Sequence, residues 1–350
     1  MSGRFRLGNF PGKRMLRSMV VGVAPNAWGI SAKNLREASE TGYWMTRAFY
    51  VFSIYLAFKF SRDLYKMEAL EPTSATLWPA LWTTWFPYTV VQYIVILVML
   101  GSAILSAFFP HQRWTRIGVF LTFLTYAAMV NSLGSINHSL HYPLWISLFM
   151  IFAPASRPAE GARTVSDHLL GLLPIFAAQV MIGLFYTLSG VWKVLGGISY
   201  PDFAVSSFSP IALPLHAMAR WDRTGVEPLL ADFFISNVWV AWPAFLAVIY
   251  FELFFLIAVF RPQMHRLFGG ALVCFHIGVW LVMGISFAYQ SVMVAMLFLM
   301  SPFAVFDRGT LRQTILQFPM LGTAAALFFR FRSNPDQGRS ARPGSPAPGE

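Results

Sequence analysis

Charge is what this sequence has least of. Its 350 residues include 26 Lys or Arg and 15 Asp or Glu, 12% of the chain, where a water-soluble domain carries about 25%. So few charges cannot cover the surface of a soluble globule, and a disordered chain would need still more of them. The one cysteine, Cys274, excludes an intramolecular disulfide and leaves the redox compartment unread. Also missing are a Walker loop, a dinucleotide glycine fingerprint, an HExxH helix and a CxxC pair. Apolar residues are abundant: 56% hydrophobic, 17% aromatic, mean hydropathy +0.56. An integral membrane protein remains, with the lipid bilayer as its first partner. The net charge of +11 is then read as orientation signal and anionic-lipid contact. No nucleic-acid partner is expected.

A membrane span needs about 20 mostly apolar residues. Eight stretches qualify, at 43–62, 86–109, 116–134, 138–154, 169–193, 241–260, 267–285 and 288–306. The expected fold is therefore an all-α integral membrane protein, a polytopic bundle of about eight transmembrane helices. Arg47 and Lys59 sit near the ends of the first span, where long basic side chains snorkel to the interface. No cleavable signal peptide is expected, because Pro25 and Asn26 break the apolar run after Arg17. The basic residues test this layout. Arg113 and Arg116, Arg157 and Arg163, Arg261 and Arg266, and Arg308 and Arg312 follow the even-numbered spans. The connections after spans three and seven hold no Lys or Arg. The positive-inside rule then places both termini in the cytoplasm.

Around the spans, residues 1–42 read as a basic cytoplasmic segment and 333–350 as a disordered cytoplasmic tail rich in Pro, Gly, Ser and Arg. Residues 307–332 hold a candidate interfacial helix interrupted by Pro319. Trp78, Trp82 and Trp85, at helical spacing, suit an aromatic belt. Residues 194–240 form one long external loop, where Pro201, Pro210, Pro214 and Pro228 oppose regular structure.

Ionisable groups inside spans carry the functional information, since a central charge costs about 2.5–3.5 kcal/mol on insertion scales. Glu252 and His276 lie near the middle of spans six and seven, Lys193 ends span five, and His138 begins span four. All four fall in the outer half or the middle of the membrane. Asn137 and His141 are four apart and His138 and His141 three apart, so one helix would group them. Tyr186, Ser189, Gly190 and Lys193 form a stripe on span five, with Gly190 allowing close approach. Each has a structural reading too. Lys193 can snorkel, His138 can cap a helix, and Glu252 and His276 can pair within the bundle. Two histidines three apart are weak evidence for a metal, and no metal site is expected.

Three segments, taken in order, resemble a known family. Ile136-Asn137-His138-Ser139-Leu140, followed by an apolar helix ending near Pro154, resembles the asparagine–histidine motif of the vitamin K-dependent gamma-glutamyl carboxylase family. The segment from Phe185 to Lys193 resembles that family's aromatic, Gly-x-x-Lys helix end. Cys274-Phe275-His276 through Phe287 resembles its later histidine helix. The resemblance covers 43–306 and reaches the broader bacterial group called HTTM (horizontally transferred transmembrane domain) proteins, which implies a multi-pass protein of the bacterial inner (cytoplasmic) membrane.

The resemblance implies chemistry as well. In the carboxylase a lysine deprotonates reduced vitamin K, which reacts with oxygen to give a strong base. That base removes a glutamate proton before carbon dioxide adds. By resemblance Lys193 is the general base, His138 and His276 shape the pocket, and Tyr186, Gly190, Asn137 and Glu252 contribute to binding a reduced, vitamin K-like quinone. Generally, an apolar pocket strips the hydration that favours a lysine's charged form, which suits a base. Gly197-Ile198-Ser199-Tyr200 stands where the family has a tryptophan, so the substrate is not carried over. The alternative is non-enzymatic: a transporter, or an accessory subunit of a membrane redox complex, with Glu252 and His276 in proton coupling or packing. The sequence names no protein partner.

Overall fold

The computed structural model describes residues 32–67, 76–133, 138–154, 165–200, 202, 206–304 and 316–323. Among these there is no strand, and the fold is all-α. The chain divides into two units, Met1–Val305 and Phe306–Glu350. In the second unit, short helical turns flank Pro319, and Met320 takes a left-handed φ of 58°. The rest of the candidate interfacial helix, the tail and the first 31 residues lie outside the described residues.

The first unit contains α1 (Ala32–Met67), α2 (Tyr88–Phe108), α3 (Arg113–Asn131), α4 (His141–Met150) and α5 (Val165–Ser199). It continues with α6 (Ala212–Thr224), α7 (Ala231–Ser236), α8 (Val238–Leu253), α9 (Phe255–Val259), α10 (His265–Met283) and α11 (Ala288–Val294). A π-helical turn, Ala295–Leu299, follows α11. Among the described residues, three helical stretches are long and apolar enough to cross a membrane: Tyr88–Phe108, Asp167–Ser199 and Pro262–Met283. Val238–Leu253 and Ala288–Leu299 are apolar but shorter. The protein is thus a helical membrane protein.

Several helices differ from their hydropathy windows. α1 begins at Ala32, so the boundary expected at residue 42 is not a structural break. Hydropathy marks where a helix meets hydrocarbon, whereas the helix itself continues while one face stays buried, as Leu35, Ala38 and Ser39 are. At the expected fourth span, α4 has only 10 residues, about 15 Å against a hydrocarbon core of about 30 Å. The loop expected at 194–240 is partly helical. α5 runs on to Ser199, and α6 and α7 follow. Its prolines do not prevent this, because Pro214 occupies the first turn of α6, where no helical N–H bond is lost, and Pro228 precedes α7. The Trp78–Trp85 segment is a 3₁₀ helix with Trp78 and Trp85 exposed.

Two basic residues play packing roles. Arg116, expected among the orientation charges, is buried. Its Nη1 donates to the carbonyls of Met150, Ile151 and Ala153 at 3.2, 3.5 and 2.8 Å, and its guanidinium lies 5.5 Å from the Tyr50 ring centroid. It thereby satisfies the open carbonyl end of α4. Lys59 does not simply snorkel. Its Nζ pairs with Asp63 at 3.0 Å and sits 5.4 Å from the Tyr289 ring centroid.

Candidate functional site

The site forms where the C-terminal part of α5 meets α8, α10 and the start of α11. The long α5 packs along α8 and α9. Gly190 makes the approach close: a Cβ there would lie 2.7 Å from the Leu253 Cα and 3.0 Å from the Glu252 carbonyl carbon. Backbone atoms cannot rotate out of the way, so only glycine fits. Here the expected binding residue Gly190 acts by admitting the neighbouring helix.

One turn on, the Lys193 ammonium forms an ion pair with the Glu252 carboxylate and donates to Ser189 Oγ at 2.9 Å. Glu252 is buried, and an opposite charge is the partner such a carboxylate needs. The sequence suggested Glu252 and His276 as partners; instead His276 Nε2 is hydrogen-bonded to the Tyr186 hydroxyl. The reason lies in the helix stripe. Tyr186 and Lys193, two turns apart on α5, reach the histidine of α10 and the carboxylate of α8 separately. Tyr142 on α4 packs beside Tyr186, their ring centroids 5.8 Å apart, and extends the cluster.

These groups surround a cavity of about 600 Å³ lined by His138, Tyr186, Lys193, Glu252, His276 and Gln290, among others. Five of the seven sequence-identified residues therefore share one chamber. His138 stands at its exposed edge, its ring 5.2 Å from that of His141 in an edge-on contact. Gly190 supports the chamber from behind, and Asn137 lies outside the described residues. Among the described residues no group of three His, Cys, Asp or Glu could hold a metal.

Three features were not read from sequence. Gln290 is 2% exposed, and its Oε1 has no hydrogen-bond partner. His276 Nδ1 is likewise buried and unpartnered. Unsatisfied buried polar atoms beside a cavity are what a ligand or ordered water would satisfy. The signal for Gln290 was present, since a lone amide in an apolar stretch is costly there. The third feature is an apolar cavity of about 420 Å³ between α6, α8 and α10, lined by Leu213, His216, Phe245, Val279 and Ile285 among others. Lys193, Phe275 and Phe287 line both cavities. Partial burial, and then the Lys193 ammonium, lower the pKa of His216 from its ordinary value.

No protein-family profile, curated protein or solved structure matches the chain.

Proposed function

We propose that the protein is a membrane-embedded, carboxylase-like enzyme of the HTTM type, in which Lys193 is the general base toward a reduced quinone. One observation carries this reading: the Lys193 ammonium stands where a chamber bearing several polar side chains meets an apolar chamber, paired with a buried carboxylate. An amphiphilic molecule suits such a junction, with its polar end near His276 and Gln290 and its apolar part toward Phe245 and Val279. When bound, a reduced quinone supplies an acidic hydroxyl and reducing equivalents. The chain's own part is proton handling. Transfer of one ammonium proton to Glu252 leaves the Lys193 amine free to take a proton from the ligand hydroxyl, and Ser189 holds the amine in place. The Tyr186–His276 hydrogen bond, with Tyr142 packed beside Tyr186, lines the far side of the chamber.

Eight spans with both termini cytoplasmic, in a bacterial inner membrane, complete the proposal. The alternating basic connections support it. External-type reporters fused after residues 112, 160, 215 and 264 should be active only at 215; activity at 112 or 160 would overturn the orientation.

The functional test is oxygen-dependent consumption of a reduced quinone, or incorporation of labelled carbon dioxide, by membranes holding the protein. Lys193→Arg and Lys193→Ala should both abolish it, since arginine keeps the charge but cannot serve as a base. Full activity in Lys193→Arg would remove Lys193 as the base. The transporter or accessory-subunit reading draws on the same ion pair, because a buried Lys–Glu pair can also exchange a proton with a passing substrate. Wild-type membranes inactive in both assays would favour it.

A further inference from the structure

The helix carrying Glu252 is interrupted immediately after that residue: α8 ends at Leu253, Phe254 has φ −97° and ψ 7°, and α9 starts at Phe255. No proline lies at the interruption. Pro243, the one proline within α8, is nine residues before Glu252. In an unbroken helix the Leu256 N–H would donate to the Glu252 carbonyl, four residues back. Here both groups turn to a side chain from another helix. The Leu256 N–H donates to Thr187 Oγ1 at 3.0 Å, and the same hydroxyl donates to the Glu252 carbonyl at 3.4 Å. A hydroxyl has thus been inserted into one rung of the helical ladder, a recognised cause of helix bending.

The rest of α5 is shaped to allow this. Thr187 lies between Gly183 and Gly190 on one face of the helix, at spacings of four and three. A Cβ at Gly183 would lie 3.2 Å from the Leu256 Cα, and one at Gly190 would meet the Leu253 backbone. The two glycines bring α5 against the interruption from either side, and the hydroxyl enters between them. The same α5 face then presents Lys193 to the Glu252 side chain.

We infer that Thr187 is a positioning residue: its hydroxyl, wedged between the Glu252 carbonyl and the Leu256 amide, sets the break in the helix that aims the Glu252 carboxylate at Lys193. The functional consequence rests on the proposed role of the Lys193–Glu252 pair, but the geometric claim does not. Without the hydroxyl, the direct Leu256-to-Glu252 bond can re-form, the helix closes up, and the carboxylate turns away from Lys193.

The test reads the pair and requires no substrate. Detergent-solubilised, monodisperse protein is treated briefly at pH 8 with a trace amount of an amine-acylating reagent, and acylation of Lys193 is quantified by peptide mass spectrometry against that of Lys59 and Lys66. Thr187→Val and Thr187→Ala should both raise Lys193 acylation by about tenfold, the equilibrium effect of losing a hydrogen bond between charged groups. Thr187→Ser keeps the hydroxyl and should match wild type. Wild-type acylation in the folded fraction of both hydroxyl-free variants would make Thr187 a packing residue and overturn the inference. So would a Thr187→Ser variant that behaves like Thr187→Val. Because the assay is independent of turnover, this inference can fail while the proposed chemistry stands, and the reverse.

Discussion

Removing one partner of the Lys193–Glu252 pair gives a penalty whose size and pH dependence can both be worked out. Lys193→Met leaves the Glu252 side chain, 3% exposed, without its ammonium. Breaking a buried pair in this way costs about 3–5 kcal/mol if the remaining charge persists. The stranded carboxylate has an alternative, which is to take up a proton from water. For an ordinary carboxyl near 4.3 this costs about 1.4 kcal/mol per pH unit, or ~3.7 kcal/mol at pH 7 and ~1 kcal/mol at pH 5. Proton uptake therefore caps the penalty, and the cap moves with pH. The folded variant then binds a proton that its unfolded chain has released, so its stability falls as pH rises.

The opposite single change should be milder. Glu252→Leu leaves a Lys193 side chain that is 26% exposed and can keep water around its ammonium, for a loss of about 1–3 kcal/mol. The double variant Lys193→Met/Glu252→Leu strands no charge and should fall close to wild type. The assay is unfolding in mixed micelles, followed by tryptophan fluorescence at pH 5 and pH 7. A Lys193→Met penalty that does not change between the two pH values would refute the reasoning. A double variant as unstable as the two single losses added together would do the same.

Three further outcomes are expected. Gln179 Nε2 donates to the Leu297 carbonyl inside the π-helical turn at 2.6 Å and to Ser301 Oγ at 3.0 Å, so Gln179→Leu should lower stability by about 1–3 kcal/mol and leave Lys193 acylation unchanged. Gly190→Ala forces a methyl against the Leu253 backbone and should destabilise by about 1–3 kcal/mol, while also raising Lys193 acylation; a neutral result in both would mean that α5 and α8 lie further apart than described. Partial burial and the Lys193 ammonium lower the His216 pKa, so the unfolded chain binds more protons just below the ordinary histidine value of about 6.5. That contribution is complete above this value and lost as pH falls; His216→Phe should reduce the loss of thermal stability between pH 7 and pH 5.

Membrane character was legible because it rests on totals: too few charges, too many apolar residues. The chamber was legible for a similar reason. Lys193, Glu252, His276 and His138 are each costly in an apolar span, and each therefore marked itself; all four line one cavity. Lengths were less legible. α4 is 10 residues where 17 were expected, and α1 is 36 where 20 were expected. Hydropathy sums side chains over a window and does not register where backbone hydrogen bonds begin and end.

Partner choice was the least legible. Glu252 and His276 looked like partners because each is a polar group near mid-span, yet which groups meet depends on rotation about the helix axes and on where a helix bends. The bend beside Glu252 is set at Thr187, a residue that sequence reading passes over, since a threonine in a membrane helix ordinarily returns its hydroxyl to its own backbone. Ser53 does so here, donating to the Phe49 carbonyl at 2.9 Å, and Thr46 to the Gly42 carbonyl at 2.8 Å. Thr187 differs because Gly183 and Gly190 bring a second backbone within its reach. The informative pattern is thus a hydroxyl flanked by glycines at minus four and plus three, facing a helix that carries a buried acid. It becomes visible only when two helices are read together, and one variant separates the two kinds of threonine. Thr46→Val should leave Lys193 acylation at its wild-type level, whereas Thr187→Val should raise it; equal responses would mean that the hydroxyl acts through general helix stability and not through the aim of Glu252.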